Sequence, residues 1–221
     1  MALGFETPLD AIIGGHLTVG TMDLPAASVG NAAIKSDVAL ERTKMAAELL
    51  TEFPIPWTAW RVWNDMGAPL PEPSAADDLG LYGGTWATDG VKIATFDLGG
   101  ATTTLYARAV VALPPEYTAA GDIRLRFKAA TQVVADTTST LDVECFALDG
   151  EGGISADLYA GAALDINFAA FANYDFEITS AGRTKADELD IRIACNFVDA
   201  GDADVMQAII GKASVLCDIK G

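Results

Sequence analysis

From Val91 onward, apolar and polar residues alternate with a period of two. Ile123, Leu125 and Phe127 interleave with Arg124, Arg126 and Lys128. Leu141, Val143 and Cys145 interleave with Asp142 and Glu144. Leu189, Ile191, Ile193, Cys195 and Phe197 alternate with Asp190, Arg192, Ala194 and Asn196. Ala213, Val215, Cys217 and Ile219 alternate with Lys212, Ser214, Leu216 and Asp218. Successive side chains of a strand point to opposite faces, so this period predicts strands buried on one side. Further strands are expected over 91–98, 103–112, 154–160 and 173–179. Gly99-Gly100, Pro114-Pro115, Gly121-Asp122, Asp149-Gly150, Gly182 and Gly201-Asp202 supply turns between them. The prediction is an all-β domain over 91–221, an eight-stranded antiparallel jelly-roll sandwich.

The pattern upstream is different. Residues 1–35 are apolar, glycine-rich and without period, which predicts an extended N-terminal arm in need of a surface to lie on. Residues 37–53 read as one α-helix. Ser36 or Asp37 caps it, and Val38, Glu41/Arg42, Met45, Leu49 and Phe53 follow i, i+4 steps. Pro54 and Pro56 stop it. Residues 54–90 form a Pro- and Trp-rich connector, so 36–90 is expected to pack on the sandwich as helix plus connector. Trp57, Trp60 and Trp63 recur at spacing three. They either seal the helix onto the sheet or form a stacking face for sugar or peptide.

Charge then narrows the partners. Asp and Glu total 31 against 14 Lys and Arg, a net charge of −17, which opposes binding to nucleic acid or an anionic membrane. Arg124, Arg126 and Lys128 make the one basic stripe. No apolar run reaches the roughly 18 residues of a membrane helix. The start of the chain carries no basic segment of the kind that opens a signal peptide. Cys145, Cys195 and Cys217 are too scattered for a disulfide framework or a zinc site, and their apolar phase predicts buried free thiols.

Candidate chemistry is sparse. His16 is the only histidine, and no Gly-x-Ser-x-Gly, Walker or Gly-x-Gly-x-x-Gly pattern is present. The acidic groups Asp77-Asp78, Asp187-Glu188-Asp190 and Asp199-Asp202-Asp204 fall in turn-like segments and read as solvated surface. The run 149–157 has enough oxygens for calcium but lacks the EF-hand positions, and it reads as a hairpin turn. No catalytic, cofactor or metal site is expected.

Several segments in order resemble a family of uncharacterised proteins encoded by tailed phages, marine viral metagenomes and prophage-bearing bacteria. They are Phe53-Pro54-Ile55-Pro56, Arg61-Val62-Trp63-Asn64-Asp65, 76–82, 104–108, Leu113-Pro114-Pro115-Glu116-Tyr117, 155–158, 174–179 and 187–192. The family's Pro-Gly-Asp or Ala-Gly-Asp turn before the last long strand is replaced here by 182–187. The resemblance implies a virion structural protein, made in the host cytoplasm, that decorates a capsid as a symmetric homo-oligomer. A trimer comes first and a pentamer second. The major capsid protein or another virion protein would be its partner. Phe5, Leu9, Ile12, Ile13 and Leu17 of the arm would then make the assembly contacts. The alternative is a carbohydrate- or receptor-binding jelly-roll module of a virion fibre or tail, with Trp57, Trp60 and Trp63 as its stacking face.

Overall fold

The structure, a computed structural model, describes residues 50–96, 102–132, 138–198 and 207–219. All of them belong to one compact unit, Ala46–Gly221. The predicted arm and residues 37–49 of the predicted helix lie outside the described residues.

Eight strands carry the architecture: β5 (Lys92–Ala94), β6 (Thr102–Ala112), β7 (Ile123–Thr131), β8 (Thr138–Leu148), β9 (Leu164–Asp165), β10 (Ala172–Ile178), β11 (Glu188–Val198) and β12 (Ala208–Asp218). They thread two antiparallel sheets in the orders β5-β12-β7-β10 and β6-β11-β8-β9. The chain changes sheet at every connection except β8 to β9, and this is the threading of a jelly roll. The expected inward phases hold, except that β12 is buried on both sides from Ala213 to Cys217, Ser214 and Leu216 included. Leu105, Ala107 and Ala109 of β6, Leu141, Val143 and Cys145 of β8, and the odd-numbered residues 189–197 of β11 all point inward and are buried.

Two expectations are corrected. The segment 154–160 is not a strand. It runs along the edge of β8, but the Ser155 hydroxyl and the Asp157 carboxylate accept the N–H groups of Ala147 and Cys145 at 2.9 and 3.0 Å. Side chains thus replace part of the backbone ladder, and the pairing strand is β9, further along. The end of the predicted helix is also extended. Leu50–Pro54 is a strand, β1, paired with residues 214–218 of β12. Five residues are too few for an i, i+4 stripe to be told from a strand edge, and the backbone groups of β12 decide the matter.

The Pro- and Trp-rich region adds strands of its own. A single 3-10 turn, Trp57–Ala59, leads into β2 (Trp60–Val62), β3 (Asp65–Pro69) and β4 (Gly80–Tyr82). β2 pairs with β6 and β3 with β2, while β4 extends the other sheet beside β5. Among the described residues, each sheet therefore has six strands. β1 and β5 share one edge of β12, on either side of a bulge between Ile210 and Lys212.

The core between the sheets holds a run of aromatic rings. Trp60 meets Phe127 with centroids 6.2 Å apart, Phe127 meets Phe176 edge-on at 5.8 Å, and Phe176 meets Tyr159 edge-on at 5.2 Å. Cys145, Cys195 and Cys217 are buried and unpaired, as their phase predicts.

Candidate functional site

The outer face of the β5–β12–β7–β10 sheet is paired off. Arg126 donates to both Asp175 oxygens at 2.7 Å, and Arg124 lies 3.6 Å from Glu177 and 3.8 Å from Asp122. Lys212 and Ser214 of β12 both meet Glu52 of β1. Most of the basic stripe is thus tied to acids on neighbouring strands.

The outer face of the other sheet is built differently. The registers of β6, β11 and β8 set its side chains in rows: Arg108–Arg192–Glu144, then Tyr106–Ala194–Asp142, then Thr104–Asn196–Thr140. In the first row Arg192 pairs with Glu144, and Arg108 is drawn to the nearly buried Asp190, its Nε donating to Oδ1 at 2.7 Å. That pairing holds the Arg108 guanidinium above its ordinary value, chiefly through the hydrogen bond to Asp190. In the third row the Asn196 amide donates to the Thr104 hydroxyl at 2.9 Å. The middle row has only a methyl group at its centre. The result is a cleft of about 300 Å³, with Ala163 also in its lining.

Trp63 stands over the Tyr106 side of this face. It lies at the tip of the β2–β3 hairpin, and its ring meets Tyr106 at 5.1 Å. Its indole N–H donates to the Asp77 carboxylate at 3.0 Å. The Arg192 guanidinium sits over both rings, 5.3 Å from Trp63 and 5.2 Å from Tyr106. The segment carrying Asp77 is bound to β6 through Tyr106 N–H to Asp77 O at 2.8 Å and Leu79 N–H to Tyr106 O at 2.8 Å. Next to it, burial and the charge of Asp77 push the Asp78 carboxyl up. Across the cleft, the Tyr159 hydroxyl donates to Ala162 O at 2.8 Å, which fixes the loop that carries Ala163.

The three sequence-predicted tryptophans do not share a face. Trp60 is 1% exposed and belongs to the core, so it cannot stack on a ligand. Trp57 is half-buried against the same core. Trp63 alone reaches the cleft side of the sheet. The spacing of three puts Trp57 in a 3-10 turn and the other two on a short strand and its turn, so no single face collects them. Trp86, on the loop after β4, is 95% exposed. Phe5, Leu9, Ile12, Ile13 and Leu17 lie outside the described residues.

Sequence reasoning placed Asp142, Glu144, Arg192 and Asn196 on the polar side of their strands without joining them. The opposite charges of Glu144 and Arg192 in strands of matching phase were the one signal that the two faces meet. Among the described residues, no group of three or more His, Cys, Asp or Glu is placed to hold a metal ion. In the 149–157 turn, the Asp149 carboxylate accepts the N–H groups of Glu151 and Gly153, both at 2.8 Å, which closes the turn on itself. No described helix is long and apolar enough to cross a membrane.

No protein-family model matches the chain, and no curated protein does. Solved structures similar to it include a xylan-binding module, CBM15, at 13% identity and TM-score 0.44 over 78% of this chain and 99% of that one. Another is TmCBM61 in complex with β-1,4-galactotriose, at 11% identity and TM-score 0.36 over 60% and 74%. A third is TmCBM27, described for mannan recognition, at 12% identity and TM-score 0.34 over 64% and 81%. The jelly-roll threading itself is set by the strand order given above.

Proposed function

We propose that this sandwich is a carbohydrate-binding module without a catalytic centre, and that sugar binds in the cleft on the outer face of β6, β11 and β8. The observation that carries this is Tyr106, backed by the Trp63 ring, lining a cleft together with the hydroxyl, amide and carboxylate groups of Thr104, Thr140, Asn196 and Asp142. A sugar ring has apolar C–H faces and a rim of hydroxyls that both donate and accept. It is suited to an aromatic wall with carboxylate, amide and hydroxyl groups alongside. The cleft volume lies at the lower end of the roughly 300–1,000 Å³ typical of small-molecule sites. Glu144 is held by Arg192, so the lining does not offer two free carboxylates facing each other across a scissile bond. The capsid-decoration reading rests on the resemblance of segments between 53 and 192, with no finding beside it in support, and its assembly contacts Phe5, Leu9, Ile12, Ile13 and Leu17 lie outside the described residues.

The test is titration calorimetry of the full chain against a panel of soluble hexasaccharides, with Trp63→Ala and Trp86→Ala beside the natural protein. Binding of at least one oligosaccharide is expected. It should weaken about tenfold in Trp63→Ala and stay unchanged in Trp86→Ala. Absence of binding at millimolar sugar, or a Trp63→Ala protein that binds as well as the natural one, overturns the proposal.

A further inference from the structure

Resting on the sugar-binding reading above, we infer that Asp142 sets the specificity of the cleft: it accepts hydroxyls of uncharged sugars and turns away acidic ones such as uronates. The arginines of this face are already engaged, Arg192 by Glu144 and the two aromatic rings, Arg108 by Asp190, and Arg61, in register with Arg108 on β2 and further from the cleft, by the carbonyls of Thr58 and Trp60. No free cation therefore remains in the row of Asp142 to receive a sugar carboxylate. Among the described residues, Asp142 has no cationic partner. Its Oδ1 accepts the N–H of Val143 at 2.9 Å, and no other described residue donates to it, which leaves the rest of its acceptor capacity for a ligand. A carboxylate offers about four lone-pair sites, enough to take two neighbouring hydroxyls as well.

The row geometry places the charge where a ring would lie. Tyr106 and Asp142 flank Ala194 in register, one strand to either side. Their backbones are thus two strand spacings apart, about 9–10 Å. A ring resting on the Ala194 methyl with one edge toward Tyr106 turns its other edge toward Asp142. Hydroxyls on that edge donate to the carboxylate. A carboxylate on that edge has no proton to give and meets a like charge within a few ångströms.

The experiment uses the full chain and three matched pairs of probes: cellohexaose, mannohexaose and galactohexaose, each with its C6-oxidised uronate counterpart. Affinities are read by calorimetry at low and at 0.5 M salt, for the natural protein, Asp142→Asn and Asp142→Ser. Unchanged melting temperatures certify that both variants fold. At low salt the uncharged member of a pair should bind about tenfold or more tightly than its uronate partner. The gap should narrow in high salt, where charge repulsion is screened. In both variants it should close to within about threefold. A neutral hexasaccharide that binds while its uronate partner binds equally or better overturns the role of Asp142 but leaves the sugar-binding reading standing. So does a gap that survives both substitutions. Absence of binding by all six probes removes the reading and this inference together.

Discussion

Phe176 offers the sharpest test of how the two sheets are held together. Its ring is fully buried, and it stands edge-on to Phe127 of β7 on one side and to Tyr159 of the cleft-side loop on the other. Truncation to alanine removes most of a side chain that buries roughly 150–250 Å². At about 25 cal/mol per Å² that is an upper figure of about 4–6 kcal/mol. Measured Phe→Ala costs in cores run about 3–5 kcal/mol. β10 pairs only with β7 and ends its sheet, so it can shift to fill part of the cavity. This places the expected loss near 3–4 kcal/mol. With a urea dependence of about 2–3 kcal/mol per molar, the midpoint falls by roughly 1–2 M at unchanged slope. The melting temperature falls by about 6–16 °C at 2–4 °C per kcal/mol. Ile154→Ala, at a side chain 62% exposed, is the control and should stay within about 0.5 kcal/mol. A Phe176→Ala protein that loses less than about 1.5 kcal/mol would refute the view that this aromatic run is packed core.

Two further outcomes follow from named groups. Burial pushes the thiols of Cys145 and Cys195 up to about 12 and that of Cys217 to about 11, so none forms thiolate near neutral pH. A disulfide reagent at pH 8 should label them only as fast as the protein unfolds, and all three at once in denaturant. Rapid labelling of any one in the native state contradicts its inward phase. Lys212 and then Ser214 hold the Glu52 carboxyl below its ordinary 4.5, so its contribution to stability is fully present above that pH and disappears as pH falls through the lower folded value. Glu52→Gln should thus melt lower than the natural protein at pH 7 and approach it at pH 2, and a constant gap across that window would rule out this linkage.

The long strands were legible because each carries three or more inward residues at period two. Leu189 through Phe197 can be read in no other way. The short elements were not. β2 and β4 have three residues each, and a three-residue strand holds no period; their register comes from β6 and β5. The segment around Ser155 and Asp157 carries apolar residues at strand-like places, yet its polar side chains take the ladder's role, a substitution that depends on where β8 lies. The same limit hid the cleft. Tyr106, Asp142 and Arg192 become neighbours only through the pairings of β11 with β6 and β8. The tryptophans that stand out in the sequence are drawn mostly to the core instead.

β12 has a consequence in time as well as in space. It lies within its sheet, with β7 on one edge and both β1 and β5 on the other, and its contact with β1 joins Ser214 to Glu52 across 162 positions. Residues 208–218 leave the ribosome after every strand they pair with. Until they arrive, β5 and β7 have no bond to each other, and their open edges are templates for any extended chain nearby. Contacts of such long range are also the slowest to close. Synthesis therefore passes through an interval in which the β6–β11–β8 sheet can be complete while its opposing sheet is still three unjoined parts, β1, β4–β5 and β7–β10, and any pause before residue 208 lengthens the exposure of those edges to aggregation.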